Sequence, residues 1–585
     1  MSLSERLHQF CGFNRTVSTK GFALFRIGMG LFLLAFISNL YYFRPLIFNS
    51  FLTTVPSPFP ARIFLLIWGM AATFLLVGWQ TRLAAIANYI CVLIATFYFS
   101  NNGSGNFNDD LLRIGGVVLL IMPVNKRLSF DNVFHELNYG FPLKDETKHG
   151  YYLLSAFISL GLLYWASSIT KLVSPIWLSG LGLWVPAVMP YNKWNDLSFF
   201  LNQKWLLVFI NYLTMAWEFL FPLALFYKPT RLVSAWLGVS FHLIIALLFP
   251  FWLLCFGPVV FYALLIENRF WAQKYARKKA VQVGYNPDLK RHIMLIRLLQ
   301  GVGLKVIHQP LHTSFITLDN RTYDNNWATA RMALKQSRGG WVVAILLKSR
   351  LFRLLACWIA DDVLLLTHNK FEHRVSPSFK EGAFMVFCLC LLSVQIFYSS
   401  YHLIKHRNST PKAFDHRIKK IFVKNPINDA SLKPSNLFRT FFGLNARGLF
   451  LDQSFTGTKP VFAITYQNQR GQTKWLQHFT PDGLCLFYNM NQGWNLYSYN
   501  AVGCGTIPNP IGLEQAIRFW ALKHHFTLTN CDFTVLKRIY EFPTHFKRDY
   551  YQQQKALPWI NEGTVRFRMG KFSYHPTDSI QLPLN

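Results

Sequence analysis

The feature that most constrains this chain is a succession of long apolar runs in its first half. Segments near 21–43, 61–79, 83–100, 111–124, 151–171, 205–227, 232–249 and 251–267 are almost wholly apolar. A helix needs about 20 such residues to cross the hydrocarbon layer, and 17 to 25 will serve. A soluble core can hide a few helices of this kind, but not so many in succession. Composition agrees: 52% of the 585 residues are hydrophobic and only 15% are charged, against about 25% charged in soluble domains. The expected fold class is therefore a polytopic α-helical membrane protein, with about eight N-terminal transmembrane helices over residues 1–270.

No cleavable leader is expected. The first run begins after Thr19 and Lys20, has full membrane length and lacks a small-residue cleavage site. Lys and Arg in the loops set the orientation. With a cytoplasmic N-terminus, the inner loops carry Arg6, Arg15, Lys20, Arg82, Lys126, Arg127, Lys144, Lys148, Lys228, Arg231, Lys274, Arg277, Lys278 and Lys279, while the outer loops carry Arg44, Arg62, Lys193 and Lys204. A multi-pass protein of a bacterial inner membrane is the expected location. The net charge of +32 suits attraction to anionic lipid beside the membrane segments. No nucleic-acid-binding motif accompanies it. The nine cysteines are scattered, without CxxC or zinc spacing.

Three regions follow the membrane bundle. Residues 271–380 mix short β-like runs, GLKVIH and GWVVAILL, with amphipathic stretches, and predict a small α/β domain. EGAFMVFCLCLLSVQIFYSSYHLI, residues 381–404, is long enough for a further crossing, although Lys405 and Arg407 just beyond it oppose that orientation. Residues 405–585 predict an α+β or β-rich domain, with strands in PVFAITYQ, TKWLQHF and TVRFRMG and a helix in LEQAIRFWALKHH.

Ionisable residues inside membrane segments are costly and invite a functional reading. Arg26 lies among small residues in GFALFRIGMG, Asp109 and Asp110 open the fourth run beside Arg113, Lys171 ends the fifth, Glu218 lies in the sixth and His242 in the seventh. Each has a plainer reading too. Arg26 can pair structurally with Glu218 or Asp110, the two aspartates can complement a helix N-terminus, His242 can be a hydrogen-bonded core residue, and Lys171 can snorkel. Lys171 nonetheless carries the sharpest chemical hypothesis. Burial favours the neutral amine of a lysine, which is how enzymes obtain lysine bases, and GLLYWAS and SPIWLSGLGLW offer apolar surroundings with three tryptophans. His308 with His312, and His524 with His525, lack the further ligands of a metal site.

Five ordered features, GFALFRIGMGLFLL, NDDLLRIGGVVLLIMPVNKRLSFDN, ITKLVSPIWLSG, the acidic residue of WEFLFPLAL and the histidine of FHLIIALLF, resemble the HTTM membrane family, which includes the vitamin K-dependent γ-carboxylases. They span roughly residues 15–270. The resemblance implies a catalytic role for Lys171 as the base that deprotonates a reduced, vitamin K-like quinone. It places His242, Asp110 and Asp109 beside it in the candidate site, with Arg26, Glu218 and Arg113 as structural charges. The carboxylases use a histidine before the fourth segment, and this chain departs from them with NNGSGNFNDDLL. The middle region, YNPDLKRHIMLIRLLQGVGLKVIH and RGGWVVAILLKSRLFRLLACWIA, resembles DCC-type thioredoxin-like domains but has no cysteine in YNPDLKRHI. Without a thiolate such a domain performs no disulfide exchange. A quinone-linked enzyme, a scaffold binding a protein partner through the C-terminal domain, and a carrier using Glu218, His242 and Asp110 are the three readings this leaves.

Overall fold

A computed structural model describes residues 15–48, 60–101, 107–139, almost all of 143–249, 252–265, most of 280–355, and most of 455–484 and 510–577. Each of the eight apolar runs is helical. A short strand β1 (Thr16–Val17) leads into α1 (Lys20–Tyr42), followed by α2 (Arg44–Ile47), α3 (Ala61–Val77), α4 (Thr81–Asn101) and α5 (Phe107–Ile121). Then come α6 (Phe130–Tyr139), β2 (Thr147–Lys148), α7 (His149–Ala156), a π-helical turn Phe157–Gly161, and α8 (Leu162–Lys171). Among the described residues five helices are long and apolar enough to cross a membrane: Lys20–Tyr42, Thr81–Tyr98, His149–Lys171, Lys204–Ala224 and Pro229–Leu248. The other three of the expected eight crossings are shorter. Ala61–Val77 and Trp252–Leu265 are apolar helices below that length, and α5 spends its first turn on Asp109 and Asp110.

Helix α1 is the central post. Gly28 and Gly30 let neighbours approach it closely: a Cβ at Gly28 would lie 2.7 Å from Val260 Cγ1, and one at Gly30 would lie 2.8 Å from Leu76 Cα. Small residues at such crossings allow the tight packing that holds helices together in lipid. Around it, Ile63, Leu66, Ile67 and Met70 of α3, Leu83, Ile86 and Ile90 of α4, and Val233, Trp236 and Leu237 of a later helix stay exposed. An apolar exterior of this extent is unsuited to water and fits helices bathed in lipid.

The helix starts are tied by distant acids. Asp145 accepts from the Thr19 backbone N–H at 2.7 Å, from the Thr19 and Ser18 hydroxyls at 2.6 Å each, and from Arg127 at 3.0 Å. Asp131 accepts from the Gln80 and Thr81 N–H groups at the start of α4. A carboxylate in such a position satisfies open N–H groups and faces the positive end of the helix dipole.

Beyond α8 a strap of short helices, α9 (Pro175–Leu178), α10 (Trp184–Ala187), a 3₁₀ turn Pro190–Asn192 and α11 (Ser198–Leu201), leads to α12 (Lys204–Ala224). Helices α13 (Lys228–Leu248) and α14 (Trp252–Phe261), with a 3₁₀ turn Tyr262–Leu265, complete the bundle.

The middle domain has strands β3 (Ala280–Tyr285), β4 (Lys305–Pro310), β5 (Phe315–Leu318) and β6 (Arg321–Asp324), with α15 (Lys290–Gly301) joining the first two and α16 (Trp327–Lys335) following the last. The sheet order is β4-β3-β5-β6, with β3 and β4 parallel and the remaining pairs antiparallel. The strand expected in GLKVIH is β4. The one expected in GWVVAILL is corrected, because residues 344–346 are helical and Ala344 and Leu347 pack into the domain core beside Leu295 and Leu334. Burial on one side, rather than β-propensity, decided that run. The 381–404 run lies almost wholly outside the described residues.

The C-terminal domain consists of β7 (Thr458–Gln467), β8 (Thr473–Trp475), α17 (Pro510–Lys523), β9 (Asn530–Glu541), α18 (Tyr550–Lys555), β10 (Ile560–Arg568) and β11 (Lys571–Pro576). All four expected elements appear in it. Its antiparallel sheet, ordered β11-β10-β9-β7-β8, is buried on both faces. Phe462 and Ile464 of β7 join one core with Leu513, Ile517 and Trp520 of α17. Val461 and Ala463, pointing the other way as strand alternation requires, join the strap residues Trp184 and Tyr191.

Candidate functional site

Lys171 ends α8, and spacings of three and four bring Tyr164 and Ser167 to the same helix face. Its amine is buried and donates to both oxygens of Glu218 at 2.5 Å and to Ser167 Oγ at 3.0 Å. The three donors of an ammonium are thereby used. The ring of Trp177 lies 4.6 Å from the same nitrogen, an orientation in which the negative face of the indole attracts a cation. Trp177 is itself held in place, since Asn211 Nδ2 donates to its carbonyl at 3.0 Å and Tyr212 donates to the carbonyl of Leu178 at 2.7 Å.

A second polar cluster adjoins this one. Tyr164 OH lies 2.8 Å from His242 Nε2 and 2.5 Å from Tyr262 OH. Trp217, next to Glu218, packs 4.7 Å from the Tyr164 ring, and Phe221 packs 4.8 Å from it. The Tyr262 hydroxyl reaches Tyr164 across Gly238, where any Cβ would collide with the tyrosine ring. Tyr164 has one proton, so it donates to one neighbour and accepts from the other. Two tyrosines and a histidine thus form a short hydrogen-bonded chain inside the bundle, one helical turn from Ser167.

The structure sorts the expected site residues. Lys171 and Glu218 come together, which corrects the expected pairing of Arg26 with Glu218: Arg26 lies towards the start of α1 and donates to the carbonyl of Leu128. Asp110 pairs with Arg113 at 2.5 Å, and the Asp109 carbonyl accepts from Arg113 Nε at 3.1 Å. Both aspartates stand in the first turn of α5, as the helix-terminus reading had it. Lys171 makes no bond to them or to His242, which belongs to the neighbouring tyrosine cluster. The physical reason is reach: α12 passes directly beside α8 and presents Glu218 at the level of the amine. Trp177 lies in SPIWLSGLGLW, one of the two segments expected to surround Lys171, and the structure brings it to the amine. Ser167, Tyr164 and Tyr262 were missed: Ser167 and Tyr164 could have been found from their helical spacing to Lys171, whereas Tyr262 arrives from another element and left no such signal. Among the described residues no group of three or more His, Cys, Asp or Glu could hold a metal ion, and His524 and His525 are exposed.

The strap carrying Trp177 is covered by the C-terminal domain. Trp184 donates to the Leu201 carbonyl at 3.1 Å and packs with its ring tilted against Phe546 at 4.9 Å. Asn202 and Asp549 exchange two hydrogen bonds, at 2.5 and 2.8 Å. Asp196 accepts from the Ser198 N–H at 3.1 Å, from Gln552 Nε2 at 3.2 Å and from Lys555 at 3.3 Å; burial raises its carboxyl, but these hydrogen bonds, led by that of Ser198, hold it below the usual range. The rings of Tyr191 and Tyr540 lie 5.3 Å apart. Comparison with known proteins finds no matching family model, no matching curated protein and no matching solved structure.

Proposed function

We propose that this protein is a membrane enzyme of HTTM type in which Lys171 and Glu218 form a proton-transfer centre for a lipid-soluble substrate, with a reduced quinone as the substrate class the resemblance implies. The observation that carries the reading is the buried amine of Lys171, bonded to both oxygens of Glu218 beneath Trp177. A lysine–carboxylate pair holds one mobile proton with no change in total charge, whichever partner carries it. That matters where the surroundings are poorly polarisable, because an isolated charge there is expensive and a neutral pair is not. With the pair's proton moved onto Glu218, the neutral Lys171 amine would take the proton of a substrate hydroxyl placed beside Ser167, leaving the substrate anion next to the resulting ammonium. Trp177 and Trp217 supply flat apolar walls, and the Tyr164–His242–Tyr262 chain offers hydroxyl and imidazole groups to orient a second polar end.

The middle sheet supports its own part of the reading. A parallel βαβ pair followed by an antiparallel hairpin and a helix is the order expected of a thioredoxin-like module, and the YNPDL stretch where such domains carry their thiols has none. We assign it a docking role.

The test uses the full-length chain in nanodiscs with a reduced short-chain naphthoquinone in air-saturated buffer, following by absorbance its oxidation by dissolved oxygen, which the deprotonated hydroquinone undergoes faster than the neutral form. Wild type should accelerate the loss over empty nanodiscs, and Lys171→Met should remove at least 100-fold of the acceleration. Equal rates for the wild type and Lys171→Met, or no acceleration at all, would refute it. The scaffold reading would then be favoured, on the observation that all three Lys171 donors are already satisfied within the bundle.

A further inference from the structure

The two extramembrane domains dock at opposite ends of the bundle. Helix α1 gives the scale: its 23 residues measure about 34 Å at 1.5 Å per residue, close to the roughly 30 Å hydrocarbon thickness of a bilayer. At its Lys20 end lie the β1–β2 pair, the Asp145–Arg127 bridge and the α3–α4 turn. Asp131 fastens α6 to that turn, since the Asp131 N–H donates to the Gly78 carbonyl and its carboxylate accepts from Gln80. The middle domain packs here, with α15 against α6.

The C-terminal domain is attached at the other end. Phe519 of α17 stacks on Phe43 at 5.6 Å and meets Tyr42 edge-on at 5.8 Å. Lys523 sits 4.2 Å above the Tyr42 ring. The same domain grips the strap through Asn202–Asp549, Asp196–Lys555 and Trp184–Phe546, and the strap ends where α12 begins. Both attachments are at the Tyr42 end.

The basic residues give the ends their sides. Lys20, Arg82, Lys126, Arg127, Lys144, Lys148, Lys228 and Arg231 belong to the Lys20 end, and Arg44, Arg62, Lys193 and Lys204 to the Tyr42 end. An excess in the short loops marks the cytoplasmic face. We propose that the middle domain faces the cytoplasm, that the C-terminal domain faces the opposite compartment, and that the C-terminal domain covers the Trp177 strap from there. Leu355 and Phe455 then lie on opposite sides of the membrane, and basic charge between them does not prevent this, because long segments translocate largely regardless of charge. The assignment stands on the docking contacts and does not depend on any reaction at Lys171.

The experiment places single reporters on the full-length chain in sealed membrane vesicles of known orientation. In a background with all nine cysteines changed to Ser, Met332→Cys marks the middle domain and Met569→Cys the C-terminal one. These methionines are 50% and 90% exposed. A membrane-impermeant maleimide should modify the first from the cytoplasmic side only, the second from the opposite side only, and both after detergent. Modification of both from the same side would overturn the proposal. Because the cysteine-free chain could fail to fold, trypsin is also applied to vesicles of the unsubstituted protein. Added on the cytoplasmic side, it should cleave the middle domain and spare the C-terminal one. Cleavage of both from that side would also overturn the proposal.

Discussion

Lys193 offers the sharpest test of the physics at the junction between the bundle and the C-terminal domain. Its side chain is fully buried, its amine has no hydrogen-bond partner among the described residues, and the ring of Phe249 lies 4.9 Å away. Burial pushes the amine down from 10.5 to about 7. The folded state therefore binds fewer protons than the unfolded chain between about pH 7 and 10.5, and stability rises with pH through that window. Below pH 7 both states are protonated and the cost of burying the charge is present in full. At about 1.4 kcal/mol per unit, the group should add about 2 kcal/mol of stability between pH 7 and pH 9, and its total penalty at pH 7 is about 4 kcal/mol. The attraction of the Phe249 ring, about 2 kcal/mol for a desolvated pair, offsets only part of it. Lys193→Met keeps most of the side-chain volume and removes the charge. It should raise the melting temperature at pH 7 and flatten its rise towards pH 9, read by thermal unfolding of the full chain in detergent micelles. Parallel pH profiles for the two proteins, or a lower melting temperature for the variant at pH 7, would refute the argument.

Three further outcomes are expected. Lys171→Met or Glu218→Met alone should destabilise by about 3–5 kcal/mol, because each strands a buried partner, whereas the two together should recover most of that loss; thermal unfolding of the four proteins of the cycle would expose simple additivity. Tyr164→Phe leaves both Tyr262 and His242 without their shared partner and should cost about 1–3 kcal/mol, clearly more than Phe at position 262, with equal losses contradicting the chain of hydrogen bonds. Trp184→Ala empties the contact between strap and C-terminal sheet and should cost about 3–5 kcal/mol, seen as earlier tryptic release of the C-terminal domain; an unchanged cleavage rate would contradict the docking.

Much of the site was within reach of the sequence, though not its pairing. A charge inside an apolar run must be compensated, so Arg26, Lys171, Glu218 and His242 stood out one by one. Which charge meets which depends on how far each helix is rotated and shifted against its neighbour, and one-dimensional spacing is silent on that. Arg26 went to a backbone carbonyl near the start of its own helix, and Glu218 went to Lys171.

The sequence by itself determined the apolar helices and the C-terminal strands, because hydrophobic length and period are local properties set by the solvent each residue must meet. It also determined the side bias of the basic loops. Only the tertiary structure decided that Trp177 covers Lys171, that Tyr262 reaches Tyr164 past Gly238, and that the C-terminal sheet seals the strap. Those contacts join residues far apart in the chain, and their geometry comes from close packing between elements.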